Sequence, residues 1–322
     1  MNKFLAIQRL RFSSEYWRKS WKEIFKKAFA FLGAVNMVLT FAARILPKDT
    51  IPPITISGIL LILFGCMVLA FFITTPMTKI SYKIEGLDVR ITVAIGNVFE
   101  GNGDLVLSCN TAFDTSESGL LSNGCLRAQY QKRFYSDNVA SLDNAIESAL
   151  NGVESQSIPP AFNGAKSRKY PVGTIATVCP KKDSRTFFVA FSEMSNKGRK
   201  NTTAKNFRVG LNCLWEKLNE STDNKLIKMP VLCSGESNLQ KSREEIIKNI
   251  VFSYVNFVKE YKLRRSLSIC IHPNDLKDSD LDMYSIEKFI ELVCAGDLMD
   301  ISETSDDADS LADEKTGTMK EA

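Results

Sequence analysis

Two long uncharged runs stand out in the first quarter of the chain. Ala28 to Ala43 (AFAFLGAVNMVLTFAA) carries no charge, and Arg44 beside it can snorkel to an interface, extending the run to residue 46. Ile54 to Thr75 (ITISGILLILFGCMVLAFFITT) is also uncharged and long enough to cross a hydrocarbon core of about 30 Å. The link LPKDTIPP is too short for a domain, so the pattern predicts a transmembrane hairpin at 28–46 and 54–75. Lys3, Arg9, Arg11, Arg18, Lys19, Lys22, Lys26 and Lys27 precede it and Lys79 and Lys83 follow it, whereas the turn offers only Arg44 and Lys48. That bias predicts a multi-pass protein of the plasma membrane with both termini cytoplasmic. A cleaved secretory signal is the competing reading of the first run; the long basic lead, the lack of an A-x-A site and the immediate second run argue against it. Ala30, Gly33, Ala34, Ser57, Gly58 and Gly65 are small enough for close helix contact, and Asn36 would seek a partner across an interface. Two helices cannot enclose a pore, so any permeation requires a homo-oligomer.

After Lys79 the apolar period changes to short β-rich runs alternating with helical stretches, which predicts an α/β domain over 79–296, a mixed sheet with helices on both faces. Candidate strands are KISYKIE, DVRITVAIG, DLVLSCN, GTIATVCP, RTFFVAFSE, LIKMPVLCS and RRSLSICIHP. Candidate helices run from about Gly124 to Phe134, Ala140 to Asn151, Thr203 to Asn219, Leu239 to Tyr261 and Ser285 to Ala295. In the last, Ile286, Phe289, Ile290 and Val293 share one face, as a core-facing stripe does.

Composition adds little beyond an ordinary folded protein, but charge is unevenly spread: the net value is only +4 over 322 residues. The segment 1–27 mixes bases with Tyr16, Trp17, Trp21 and Phe25 and suits an amphipathic cytoplasmic helix on an anionic leaflet. A solvated basic arm is the alternative, and no base-reading motif accompanies it, so nucleic acid is not expected as a partner. The segment 297–322 has the composition of a disordered acidic tail. The 8 cysteines are scattered singly, most within apolar runs, and read as buried reduced thiols rather than disulfides or a metal site. The one histidine, His272, precedes Pro273 at a strand end and reads as part of that end. No P-loop, HExxH, kinase or protease motif is present.

In an open α/β sheet the pocket forms where loops leave the strand C-termini. Three loops qualify: AIGNVFEGNGD, SCNTAFDTSESGLLSNGC and VLCSGESNLQKSREE. Ser, Gly and Asn let backbone N–H groups approach a diphosphate, with a helix N-terminus behind. Taken singly, each loop also reads as a plain turn or an ordinary N-cap.

Together the three loops resemble the macro domain, an ADP-ribose-binding α/β fold. The match lies in Ile95, Gly96 and Asn97; in the strand ending at Asn110 with Leu121, Ser122, Asn123 and Gly124; and in Ser234, Gly235, Glu236, Ser237, Asn238 and Leu239. Asn97 stands where the family usually has an Asp contacting the adenine amino group, and its carbonyl can accept the same hydrogen bond. In the NTAFDT turn, Thr111 and Asp114 join the candidate ligand set and Phe113 offers a stacking ring. A macro-like domain behind two transmembrane helices is similar to the type II Thoeris anti-phage effectors. That resemblance implies no catalytic residues, no metal and no resident cofactor. The ligand would be an ADP-ribose derivative, histidine-linked ADP-ribose in that group, made by a partner TIR-domain NADase and delivered by diffusion. Binding would drive assembly and membrane damage that kills the infected cell. A membrane-anchored ADP-ribosylhydrolase, using Asn110 and Asp114, and a scaffold with a degenerate pocket are the alternatives. The inserts Asn151 to Pro171 and Ser195 to Asn206 are candidates to cover the pocket, and Lys197, Arg199 and Lys200 to attract a diphosphate.

Overall fold

The computed structural model describes residues 8, 10–12, 14–45, 55–115, 125–160, 166–181, 184–194, 200–221, 223–235, 239–276 and 281–296. The tail 297–322, Leu121 to Gly124, Glu236 to Asn238, Lys197, Arg199 and most of the inter-helix turn lie outside them. The chain divides into two units, Met1–Thr78 and Lys79–Ala322.

The first unit is built on helices α1 (Ser14–Ile45) and α2 (Ile56–Ile73). Two stretches, Ser20–Ala42 and Ile56–Ile73, are long and apolar enough to cross a membrane; only 11% and 17% of them is buried, unlike the core helices of a soluble protein. The basic lead and the first span, expected to part near residue 27, form one uninterrupted helix, since no Pro or Gly occurs from Ser14 to Leu32. The lead packs on α2 instead of standing apart: Tyr16, Ile24 and Ala28 cluster with Ala70, and Trp17 stacks on Phe71 with centroids 5.1 Å apart. Arg11 Nη2 donates to Phe72 O at 3.0 Å and Tyr16 Oη to Thr74 O at 2.9 Å, satisfying carbonyls at the end of α2. Of the small residues expected at a helix contact, Gly33 and Gly65 have no neighbour within 4 Å of a Cβ position, while Ala28 and Ala70 are buried together in the cluster.

The second unit holds a mixed sheet of order β1-β2-β10-β9-β3-β7-β6. Its strands are β1 (Lys79–Lys83), β2 (Arg90–Ile95), β3 (Asp104–Asn110), β6 (Ile175–Lys181), β7 (Ser184–Met194), β9 (Ile227–Pro230) and β10 (Leu267–Ile271). The five central strands run parallel and the two edge strands antiparallel. Two-residue β8 (Lys200–Asn201) pairs with β7, and β4 (Gln156–Ser157) with β5 (Arg168–Lys169). The helices are α3 (Leu126–Tyr135), α4 (Val139–Ala149), α5 (Ala204–Asn219), α6 (Arg243–Tyr261) and α7 (Met283–Ala295).

Side-chain alternation sends each strand's residues to two cores. On one face Leu105, Leu107, Cys109, Phe188 and Ala190 pack with Tyr130 of α3 and with Leu142 and Ile146 of α4. On the other, Phe191 meets Phe207 of α5 at 5.4 Å, and Trp215 of α5 meets Tyr254 of α6 at 5.1 Å. Gly210 allows that contact, since a Cβ there would sit 2.4 Å from the Phe191 ring. Helices thus cover both faces, as the alternation of short strands and amphipathic stretches predicts. At the strand N-termini, buried Asp104 receives Arg185 and Arg265 and ties β3 to β7 and to the segment entering β10.

Candidate functional site

Neighbouring strands β9 and β3 run parallel, but the chain leaves β3 for α3 on one face and β9 for α6 on the other. Loops that diverge this way open a crevice at the strand C-termini. A cleft of about 470 Å³ lies there, lined from β2 by Gly96 to Val98, from β3 by Leu107 and Ser108, and from α3 by Cys125 to Arg127 and Gln129. Pro230, Val231, Cys233, Ser234 and Gly235 line it after β9, Arg243 at the start of α6, and Cys270, His272, Asn274 and Asp275 around the end of β10.

The turn after β9 is held in an unusual conformation. Cys233 has φ 57°, in the left-handed region, and Ser234 Oγ donates to Val231 O at 2.9 Å. Left-handed backbone at a non-glycine residue costs energy and marks a position fixed by its surroundings. Gly235 is exposed, and nothing lies within 4 Å of its Cβ position. At the other wall Asn97 Oδ1 accepts the Phe99 N–H at 3.0 Å, which orients the side chain and leaves one lone pair and the amide group for a ligand.

Of the other sequence-derived site residues, Ile95 ends β2 as a buried side chain and Leu239 is buried past the β9 turn. Asn110, Thr111, Phe113 and Asp114 do not line the cleft; all are buried. Asn110 Nδ2 donates to Asp114 Oδ2 at 2.7 Å and the Asp114 N–H to Asn110 Oδ1 at 3.1 Å, so the two side chains satisfy each other. Phe113 corrects the expectation of a stacking ring: it is 0% exposed, edge-on to Tyr170 at 5.6 Å. The same contacts explain why the described part of the Asn151 to Pro171 insert does not cover the cleft. Its Tyr170 N–H donates to Thr111 O and its Lys166 N–H to Asp114 Oδ1, both at 2.8 Å, pinning it to the turn after β3.

The helix behind the β9 loop starts later than its apolar pattern suggests. Ser242 caps α6 in a reciprocal box with Glu245, and Glu244 shares the first turn, so carboxylates already occupy this helix end. Arg243 Nη2 pairs with Asp275 Oδ1 at 3.3 Å.

Several lining residues carry no obvious sequence signal. His272, read as part of a strand end, lines the cleft and accepts the Asn274 N–H on Nδ1 at 3.2 Å. Cys270 is pushed up by burial, which outweighs the opposing Ser268 hydrogen bond and Lys228 charge; it is a neutral thiol at neutral pH rather than a nucleophile. Among the described residues no group of three or more His, Cys, Asp or Glu side chains could hold a metal. Backbone-rich turns, amides and cations surround a concave floor, chemistry that suits a polar ligand.

Residues 91–272 match the family model described as Thoeris protein ThsA, Macro domain. Thoeris protein ThsA of Bacillus amyloliquefaciens (strain Y2) is 25% identical over 243 residues, covering 72% of this chain and 78% of that protein. Among solved structures, the Oceanobacillus iheyensis macrodomain with ADP aligns at 12% identity and a TM-score of 0.45, covering 67% of this chain and 96% of that one. A macrodomain protein from Streptomyces coelicolor aligns at 9% identity and 0.32, covering 55% and 97%. Both structural likenesses are distant.

Proposed function

Because the chain belongs to the Thoeris protein ThsA macro-domain family, we propose that it is an anti-phage effector whose macro domain captures an ADP-ribose derivative and whose helical hairpin acts on the membrane. The signal is histidine-linked ADP-ribose, released by a partner TIR-domain NADase and received by diffusion. The cleft at the divergence of β3 and β9, walled by Asn97 on one side and the Cys233 to Gly235 turn on the other, is the observation that carries the ligand reading. Paired Asn110 and Asp114, buried away from that cleft, favour capture over turnover. The protein sits in the bacterial inner membrane with both termini cytoplasmic. Exposed Phe29, Phe41, Leu60, Leu61 and Phe64 fit a hairpin whose outer surface meets lipid or further copies of itself.

Signalling requires that the ligand bind an assembled state better than the resting one, since equal affinity shifts no equilibrium. The test is calorimetric titration of the detergent-solubilised full chain with ADP-ribose and with its histidine conjugate, followed by dye release from liposomes carrying the chain. Preference for the conjugate and ligand-dependent release are expected. Absence of heat with either compound sinks the ligand reading, and release of free ADP-ribose from a modified substrate would replace capture with hydrolysis.

A further inference from the structure

The first turn of α3 is chemically unlike that of α6. It contains no acidic residue, its cap is Cys125, whose Sγ accepts the Ala128 N–H at a long 3.4 Å, and its second residue is Arg127. A cation in a first helical turn opposes the helix dipole, and a thiol sulfur is a weak hydrogen-bond acceptor and so a weak cap. Arg127 is only 9% exposed, lines the cleft, and has no hydrogen-bond partner on Nε or Nη1. No ion pair to it occurs among the described residues. Two buried guanidinium nitrogens without acceptors are costly to hold, and a ligand that supplies acceptors recovers the cost on binding.

We propose that Arg127, backed by the N-terminus of the 10-residue helix α3, is the anion receptor of the cleft and takes phosphate oxygens of the ligand's diphosphate. The assignment rests on the proposed ligand for the identity of the diphosphate's carrier, but not for the receptor itself. It moves the charge recognition from the β9 loop to the start of α3: α6 carries Glu244 and Glu245 in its first turn, whereas the first turn of α3 holds a cation, no acidic residue and a weak thiol cap. Arg243 is the less suitable receptor because Asp275 already engages it. The β9 turn then shapes the site and Arg127 neutralises what enters it.

The test compares the full chain in detergent micelles with Arg127→Met, which removes the donors, and Arg127→Lys, which keeps the charge but not the planar fork. Thermal unfolding is followed without anion and with inorganic pyrophosphate, and ADP-ribose and adenosine are titrated calorimetrically. Without anion, Arg127→Met is expected to unfold at the same temperature as the parent or higher, since an uncompensated buried charge has been removed. Pyrophosphate should stabilise the parent and not Arg127→Met. ADP-ribose affinity should fall by about 10- to 100-fold in Arg127→Met and less in Arg127→Lys, with adenosine unchanged. A lower unfolding temperature of anion-free Arg127→Met with an intact pyrophosphate response would overturn the assignment and make Arg127 structural. Equal ADP-ribose affinity in parent and Arg127→Met would overturn it while leaving the proposed ligand in place. A pyrophosphate response confined to the parent, with no ADP-ribose binding, would uphold the receptor and reject the ligand.

Discussion

Replacing Asp104 with Asn removes one negative charge from a fully buried carboxyl, 0% exposed. The Arg185 backbone N–H donates to Oδ1 at 3.1 Å and its Nε and Nη2 donate to Oδ2 at 3.2 and 2.8 Å, while Arg265 Nη2 donates to the same oxygen. Asn keeps one acceptor but turns an amide donor toward guanidinium N–H groups. Arg185 can lean on Asp223, 2.8 Å away, whereas Arg265, 1% exposed, keeps the Lys225 carbonyl at 3.0 Å as its side-chain hydrogen bond among the described residues. Breaking a buried pair from one side costs about 3–5 kcal/mol. For a domain of this size that lowers the melting temperature by about 6–20 °C at roughly 2–4 °C per kcal/mol. Circular dichroism of the solubilised chain during heating measures it. Adding Arg265→Met should recover part of the loss, since the stranded charge goes with it. A loss below about 1 kcal/mol, or a double variant as unstable as the sum of the single ones, would refute the ion pair's role. The same carboxyl sets an acid limit. Burial pushes it up, but the Arg185 and Arg265 hydrogen bonds outweigh burial and hold it below its ordinary value. With the folded value depressed, the contribution is complete above the unfolded pKa of about 3.9 and is lost as pH falls through the folded one. Asp104→Asn should therefore flatten the acid limb of a stability-against-pH curve.

Gly235→Trp should abolish ADP-ribose binding while shifting the melting temperature by less than about 2 °C, because the Cβ enters open space and the ring fills the cleft; calorimetry and thermal scans read the two effects. Asn110→Ala should cost about 1–3 kcal/mol through the stranded Asp114 carboxylate yet leave ADP-ribose affinity within about threefold, a pattern opposite to that of a catalytic Asn. Gly210→Ala gains helix propensity of about 1 kcal/mol but drives a Cβ into the Phe191 ring, and a net loss of about 1–2 kcal/mol in denaturant unfolding is expected.

The seven principal strands were legible because each is a short β-rich run bounded by turn residues, and the helices because their apolar residues recur every three or four positions. What periodicity missed is local. β4, β5 and β8 are two residues each, too short for any period, and α6 begins at Arg243 because Ser242 and Glu245 form a capping box inside a stretch whose apolar pattern starts at Leu239. In the NTAFDT turn, an aromatic between polar residues reads as exposed. Its burial depends on Tyr170, 57 positions away in the chain, and no local pattern reports such a partner.

The cleft divides along the same line. Gly96, Asn97, Ser234 and Gly235 line it, and each belongs to a residue type that turns at strand ends require, so local chemistry finds them. Arg127 belongs to a common type that usually points to water, and only its position speaks for it: one residue past the start of a helix, where a cation is disfavoured, after a thiol cap in place of Ser or Asp. A residue that breaks the local rule of its element has either a compensating partner within the chain or one that comes from outside. For Arg127 the described residues supply no such partner on Nε or Nη1, and the side chain borders a cleft through which a ligand oxygen can reach it.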